Sequence, residues 1–230
     1  MERILDDAFE RGALTVNEAK EALSQLYAYT GFPRSLNALA SLQKVVAERR
    51  KKGGSVEVGS DASPLPDDYD ALKQGAVVQT RMSGKPFDYA FAPAVDYYLK
   101  AHLFGDIFAR DVLTYSEREI VTVAALSAID GVEPQLKAHV AGARRMGVTD
   151  SQLRAIPEVL EQKVGRMEAF RAAKAVAEEF GEVFVEGRPI EHQMFPTGEP
   201  NTEYAKYFIG NSYIAPLLSE GLPMSNVTFE

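Results

Sequence analysis

Apolar residues recur at helical spacing along most of this 230-residue chain. The run from Thr15 to Glu18 has the spacing of a capping box, in which hydroxyl and carboxylate satisfy free amides of a first helical turn. The pattern predicts one helix from there to about Tyr29 and a second that begins at Pro33. Strand-like alternation is scarce, so we predict an all-α fold of eight or nine helices.

The most apolar predicted helix covers residues 116–129, which are apolar on nearly every face. A helix of this kind belongs in a core, so we expect it to be the most buried, packed against a helix over residues 132–146. Residues 53–68 are rich in Gly, Ser, Pro and Asp, which predicts a loop without regular structure. We also predict a final helix near residues 204–218 and short extended segments at residues 181–188 and 225–229.

The chain contains an internal repeat. A shift of 134 positions places Thr15 on Thr149 and Gly31 on Gly165, together with Leu26 on Leu160 and Ala38 on Ala172. These are a helix cap, a helix-breaking glycine and positions of a helical core, so they support a duplicated unit of cap, helix, glycine and helix. The same shift places Leu5 opposite His139, near the start of the chain.

Composition and charge exclude several classes of protein. The net charge of −8 and pI near 5.1 give the chain no general attraction to nucleic acid or anionic membranes. It has no cysteine, which excludes disulfides, thiolate metal sites and a cysteine nucleophile. The first residues lack the apolar segment of a signal peptide, so we expect a cytoplasmic protein.

The candidate chemistry centres on His139 and Glu119, which lie on the two predicted core helices. If these helices are antiparallel neighbours, the two side chains meet as an acid/base pair, with Arg110 or Arg118 available to hold an anion. The alternative is a structural role, because a single histidine at an apolar edge is commonly a hydrogen-bonded core residue. No two of His102, His139 and His192 have metal-ligand spacing, so we predict no metal site. The sequence has no G-x-G-x-x-G or Walker A loop, and we predict no cofactor.

An ordered set of motifs resembles the carboxymuconolactone decarboxylase family. It comprises Arg110 to Thr114, the pair Arg118-Glu119, Leu136 to His139, and Gly147-Val148-Thr149 followed by Gln152. Residues 14–39 resemble the second half of the same domain. The resemblance implies an alkyl hydroperoxidase D-like helical fold, with a duplicated and partly truncated helical unit.

Two chemistries follow from the resemblance. One branch of the family reduces peroxides through a C-x-x-C motif, and the matching positions here are Val132 and Gln135. The other branch comprises cofactor-free decarboxylases of lactones, in which a histidine matching His139 handles the proton. The position of Gln135 is often acidic in those decarboxylases, so this chain departs from their pattern. We expect His139 and Glu119 to be catalytic and Arg110, Arg118 and Gln135 to bind substrate.

The resemblance divides the chain into four predicted segments: a truncated first repeat (1–52), a linker with a short helix (53–90), a second and more complete repeat (91–186), and a tail with a final helix (187–230). The expected reaction is cofactor-independent decarboxylation, or a related proton transfer, on a small carboxylated lactone or enone. Two alternatives stay open: a catalytically silent member that binds a ligand or partner, and a non-thiol role in oxidative stress. The chain ends where some members continue into a cupin barrel.

The resemblance also implies self-association. The family forms rings of intertwined dimers, so we expect a dimer or a higher oligomer, with a trimer of dimers as one arrangement. The aromatic run from Tyr27 to Phe32 offers rings to bury between chains. The remaining expected partner is a small carboxylate or lactone; we expect no nucleic acid and no membrane.

The lack of cysteine leads to a first prediction. The purified protein should not consume hydroperoxide with dithiothreitol or a dithiol protein as reductant, because no residue can form a sulfenic acid intermediate. Peroxide consumption is measured after removal of metals with a chelator. Steady turnover by such protein at a rate above the buffer control would contradict the prediction.

Overall fold

The computed structural model describes residues 1–184, 199–202, 212–216 and 225–229. The chain divides into two compact units, residues 1–184 and 185–230. Every regular element of the first unit is a helix, which agrees with the predicted all-α fold. These helices are α1 (Glu2–Glu10), α2 (Val16–Gln25), α3 (Tyr27–Thr30), α4 (Phe32–Lys51), α5 (Ala71–Ser83), α6 (Pro93–Tyr97), a π-helix (Tyr98–Ile107), α7 (Tyr115–Ser127), α8 (Glu133–Arg145), α9 (Asp150–Lys163) and α10 (Arg166–Glu179).

Helix α7 is the central element of the first unit, as predicted. Along its whole length only Glu117 is exposed, while Val123 has no exposed surface and Leu126 only 3%. It packs against α8, and the core that they share continues through α9 and α10, where Leu153 and Ala172 are fully buried. The position of α7 follows from its apolar residues, which leave no side of the helix suited to water.

Capping boxes fix the start of three helices. At α2, α7 and α9 a threonine accepts a hydrogen bond from the amide three residues on, and the side chain of that residue bonds back to the threonine amide. The residue pairs are Thr15 with Glu18, Thr114 with Glu117, and Thr149 with Gln152. The boundaries of these helices were therefore readable from the sequence.

The repeat recurs in the helices themselves. Helices α2 and α9 begin at residues 16 and 150, and α4 and α10 begin at residues 32 and 166, so both pairs are 134 residues apart. The ends of α1 and α8 are related by a shift of 135 residues instead of 134. The Ala13 amide donates to the Ala8 carbonyl after α1, and the Val148 amide donates to the Ala143 carbonyl after α8. With the shift of 135, His139 corresponds to Ile4 rather than to Leu5.

The segment after α6 was not predicted in this form, because it winds as a π-helix and packs closely on α5. Two glycines allow this approach. A Cβ atom on Gly75 would lie 1.8 Å from the Lys100 carbonyl oxygen, and one on Gly105 would lie 2.3 Å from the Ala71 carbonyl oxygen. Any side chain at either position would push the two helices apart.

Residues 54–66 form neither helix nor strand, as predicted for the linker. They are nevertheless held against the start of α2. The Val16 and Asn17 amides donate to the carbonyls of Glu57 and Val58, and the Asn17 side chain donates to the Asp61 carboxylate at 3.0 Å.

The predicted final helix is wrong where the structure describes it. Residues 212–216 form a strand, and residues 204–211 and 217–218 of the predicted helix lie outside the described residues. The second unit contains an antiparallel sheet in the order β1 (Glu199–Pro200), β2 (Ser212–Pro216) and β3 (Ser225–Phe229). Cross-strand pairs of β-formers, such as Ile214 with Val227, favour the strand over a helix.

The extended segment predicted at residues 225–229 is confirmed as β3. For the other, residues 182–184 lie outside regular structure, and residues 185–188 are outside the described part of the chain. In the described ranges, we find no helix with the length and apolar character needed to span a membrane.

Candidate functional site

His139 and Glu119 form a direct hydrogen bond between the two central helices. The distance from His139 Nδ1 to Glu119 Oε2 is 2.8 Å. Glu119 on α7 has no exposed surface, and His139 on α8 is 8% exposed. The predicted contact between the two residues is therefore present.

This bond determines how the imidazole can act. A carboxylate accepts hydrogen bonds, so Nδ1 carries the proton and Nε2 is the nitrogen left for a ligand. The imidazole side chain keeps 10% of its surface exposed. Burial of a lone carboxylate costs several kcal/mol in general, and the N–H donor from His139 offsets part of that cost.

Half of the Glu119 carboxylate has no partner. Its Oε1 atom is buried and accepts no hydrogen bond in the described part of the chain. The pair is thus satisfied on one side only, which is unusual for a buried polar group in a structural role.

Tyr29 of α3 is the third member of this cluster, and sequence reasoning missed it. Its ring meets the His139 ring edge to face, with centroids 5.5 Å apart. Its hydroxyl is buried without a hydrogen-bond partner among the described residues, although the ring is only partly buried. Burial raises the pKa of Tyr29 and the charge of Glu119 raises it further; Thr122 and Arg118 act in the opposite direction.

Arg118 points away from the His139 pair and into an ion-pair network with α2. Its guanidinium has no exposed surface and donates to Glu21 Oε2 at 3.2 Å and to Gln25 Oε1 at 2.9 Å. It also donates to the carbonyl of Arg110 at 2.6 Å. Burial lowers the pKa of Arg118, and the carboxylate of Glu21 opposes that shift.

Arg110 also binds the Glu21 carboxylate, from the solvent-exposed side. Its guanidinium donates to Glu21 Oε1 at 2.8 Å, and half of its side chain is exposed. Glu21 raises the pKa of Arg110. The structure therefore places both arginines on Glu21, whereas the sequence suggested that they face the histidine.

Comparison with known families bears on this cluster, because residues 93–179 match the model of the carboxymuconolactone decarboxylase family. The chain carries a domain of this family. The matched segment contains Glu119 and His139 as well as Arg110 and Arg118, whereas Tyr29 and Glu21 precede it. No curated protein matches the chain. The match assigns residues 93–179 to this family and leaves the reaction to be argued from the site.

The other candidate residues lie apart from the pair. Gln135, one helical turn before His139, is exposed. His102 is exposed on the π-helix, where Nδ1 lies 2.8 Å from Asp106 Oδ2 and Nε2 meets the Tyr27 hydroxyl. His192 lies outside the described residues. Among the residues that the structure describes, no group of three His, Asp or Glu side chains could hold a metal ion.

An apolar groove of about 260 Å³ runs between α7 and α9. It begins at Ile120, the residue after Glu119, and its far wall includes Ala155 and Val159. Glu119 and His139 are absent from its lining, so the groove borders the helix that carries the site rather than the reacting groups themselves.

The network around Arg118 leads to a second prediction. Replacement of Glu21 by Ala should lower the free energy of unfolding by about 3–5 kcal/mol, because it leaves a buried guanidinium without its counter-charge. Replacement of Glu2, whose partner Lys44 is exposed, should change stability little. Urea denaturation of both variants measures the difference. Equal stability of the two variants would contradict the network's role.

Proposed function

We propose that the protein is a cofactor-independent decarboxylase, or a related proton-transfer enzyme, that acts on a small carboxylated lactone or enone. The observation that carries the proposal is the buried Glu119–His139 hydrogen bond, which leaves Nε2 of His139 for a substrate. Membership in the carboxymuconolactone decarboxylase family supports the same reaction class.

The chemical step needs little besides a proton donor and a stabilised enolate. When the carbon–carbon bond to the carboxylate breaks, CO₂ leaves and its bonding electrons pass to the neighbouring carbonyl system as an enolate. Nε2–H of the protonated His139 then gives its proton to the carbon. Solvent restores that proton, so the net reaction consumes one proton and releases one CO₂.

Glu119 has two roles in this proposal. Its carboxylate holds the imidazole by Nδ1, which fixes the tautomer and the direction of Nε2. Its negative charge also lies at hydrogen-bond distance from the imidazole, so it faces the imidazolium that donates the proton during the reaction. Glu119 is therefore a positioning residue, and His139 is the residue that meets the substrate.

Arg110 remains the better candidate of the two arginines for a substrate carboxylate. Half of its side chain is open to solvent, whereas the guanidinium of Arg118 is enclosed by Glu21, Gln25 and a carbonyl. Gln135 remains a candidate substrate contact in the first turn of α8, since it is exposed and lies one turn before His139.

A silent, ligand-binding member is the second candidate function. The complete burial of Glu119 and its absence from the lining of the apolar groove favour a pair that only fixes α7 against α8. The two functions differ in what loss of the pair does. A structural pair lowers the melting temperature when removed, and a catalytic pair changes the rate.

We further propose that the protein acts in the cytoplasm as a homo-oligomer. The aromatic run that suggested an interface has partners within the chain, because Tyr27 stacks on Phe32 with centroids 4.3 Å apart and Tyr29 meets His139. Among the described residues, Phe91 and Tyr98 have the most exposed rings, with 92% and 62% of their surface open, and Phe32 of the run follows with 61%. Rings so exposed are suited to burial between subunits.

Sedimentation equilibrium tests the third prediction, which is self-association through these rings. We expect a mass of at least two chains at micromolar concentration and dissociation when Phe91 and Tyr98 are both replaced by Ser. A mass near the 25.2 kDa of one chain for the unaltered protein would contradict it.

The fourth prediction concerns the proton donor. His139→Ala should abolish CO₂ release from 4-carboxymuconolactone and related carboxylated lactones. The control His102→Ala should retain the rate of the unaltered protein, because the His102 side chain is exposed on the π-helix. Glu119→Gln should lower kcat more than it raises KM, because the amide orients the imidazole without stabilising its charge.

Release of CO₂ is followed by a coupled bicarbonate assay across the panel of lactones. If the unaltered protein releases none from any of them, the decarboxylase proposal fails. If His139→Ala lowers only the melting temperature, the silent, ligand-binding function is supported instead.

A further inference from the structure

Two unsatisfied polar atoms lie beside the same imidazole. Tyr29 Oη and Glu119 Oε1 are both buried, and neither has a hydrogen-bond partner in the described part of the chain. Tyr29 meets the His139 ring at a centroid distance of 5.5 Å, and Glu119 Oε2 bonds to the same ring at 2.8 Å. One is a donor without an acceptor, and the other is an acceptor without a donor.

Such a pair of atoms is costly to keep. A buried hydroxyl or carboxylate oxygen without a partner loses its hydration and gains nothing in return, so proteins retain few of them. Phenylalanine would fill the place of Tyr29 and keep the edge-to-face contact without that cost. The hydroxyl therefore calls for an explanation other than packing.

Thr122 does not supply the partner. Its hydroxyl donates to the Arg118 carbonyl at 2.9 Å and accepts from the Gln25 side chain at 2.9 Å. Thr122 lies close enough to lower the pKa of Tyr29 in the way a hydrogen-bonding neighbour does, but its contact with the Tyr29 hydroxyl falls outside hydrogen-bond geometry. The hydroxyl of Tyr29 is thus available to a bound molecule.

We propose that Tyr29 is the hydrogen-bond donor of the site, and that it binds the substrate oxygen on which negative charge develops as CO₂ leaves. This inference rests on the proposed decarboxylation. Tyr29 lies on α3, so the first repeat contributes a functional group to the site that α7 and α8 of the second repeat carry.

The surroundings suit a neutral donor. Burial and the negative charge of Glu119 keep the Tyr29 hydroxyl protonated. It therefore shares its proton with the enolate oxygen without transferring it, while His139 delivers the proton to carbon. Arg118 is enclosed by Glu21 and Gln25, and Arg110 is assigned to the substrate carboxylate, so neither is assigned to the enolate oxygen. Oriented donors of this kind stabilise a developing oxyanion in a dry site.

The test uses Tyr29→Phe, with Tyr27→Phe as its matched control. Tyr27 lies two residues earlier on the same short helix, and its hydroxyl meets His102, away from the pair. The probe is 4-nitrophenolate, a stable oxyanion whose absorption changes when it accepts a hydrogen bond. Binding is titrated above the pKa of the probe, and melting temperatures are recorded for both variants.

We expect Tyr29→Phe to bind 4-nitrophenolate about tenfold or more weakly than the unaltered protein, as for loss of a hydrogen bond to a charged group. We also expect it to melt at the same temperature or about 2–4 °C higher, because an unsatisfied hydroxyl is removed. Tyr27→Phe should bind the probe like the unaltered protein.

Two results would overturn the inference: no binding of 4-nitrophenolate by the unaltered protein, or equal binding by Tyr29→Phe. Equal binding together with a lower melting temperature of Tyr29→Phe would identify a hydroxyl that only stabilises the fold. Because the probe is not decarboxylated, these results are distinct from a failure to release CO₂, which would refute the proposed reaction alone.

Discussion

Two opposite charges lie side by side on the central helix α7, and both are buried. Arg118 and Glu119 follow each other on α7, and neither has any exposed surface. A charge buried without a partner costs far more than one residue's packing can return, so each needs its own counter-group. Glu21 of α2 meets the arginine, and His139 of α8 meets the glutamate. The placement of these helices around α7 follows from that need.

Helix geometry directs the side chains of Arg118 and Glu119 toward different neighbouring helices. Successive residues point about 100° apart around a helix axis, so Arg118 and Glu119 face different neighbours. On the arginine side, Gln25, Glu21 and the Arg110 carbonyl accept hydrogen bonds from the two terminal nitrogens, while Nε has no partner in the described residues. On the glutamate side, Oε2 meets His139, while Oε1 has no partner in the described residues. An enclosed ion pair is suited to holding a fold, and a carboxylate beside an imidazole is suited to a ligand.

The sequence was informative where one local rule decides the outcome. The capping box from Thr15 to Glu18 placed the start of α2, and the apolar character of residues 116–129 placed α7 at the centre. The Glu119–His139 contact followed from two buried helices that lie next to each other. The contact could be predicted because a polar side chain buried on an apolar helix is costly unless a neighbouring helix supplies a hydrogen-bond partner.

The sequence was uninformative where a distant residue decides the outcome. Arg118 was assigned to substrate because nothing in its neighbourhood shows Glu21, 97 residues earlier, as the partner. Tyr29 was read as one ring in an aromatic run, since only the fold brings it to His139, 110 positions later. The strand at residues 212–216 depends on its pairing with β3, and that pairing overrides local helix propensity.

The repeat shows how the two halves have diverged around α7. With the shift of 134, Glu21 and Gln25 of α2 correspond to Ala155 and Val159 of α9. On α2 these positions are polar and neutralise Arg118, whereas on α9 they are apolar and line the groove beside Ile120. Tyr29 corresponds to Lys163, which could not replace its edge-to-face contact with His139. The same unit therefore serves α7 in two ways: the first copy supplies the counter-charge and the aromatic wall, and the second supplies core packing. The proposed site draws on both copies because neither repeat alone carries all three of Tyr29, Glu119 and His139.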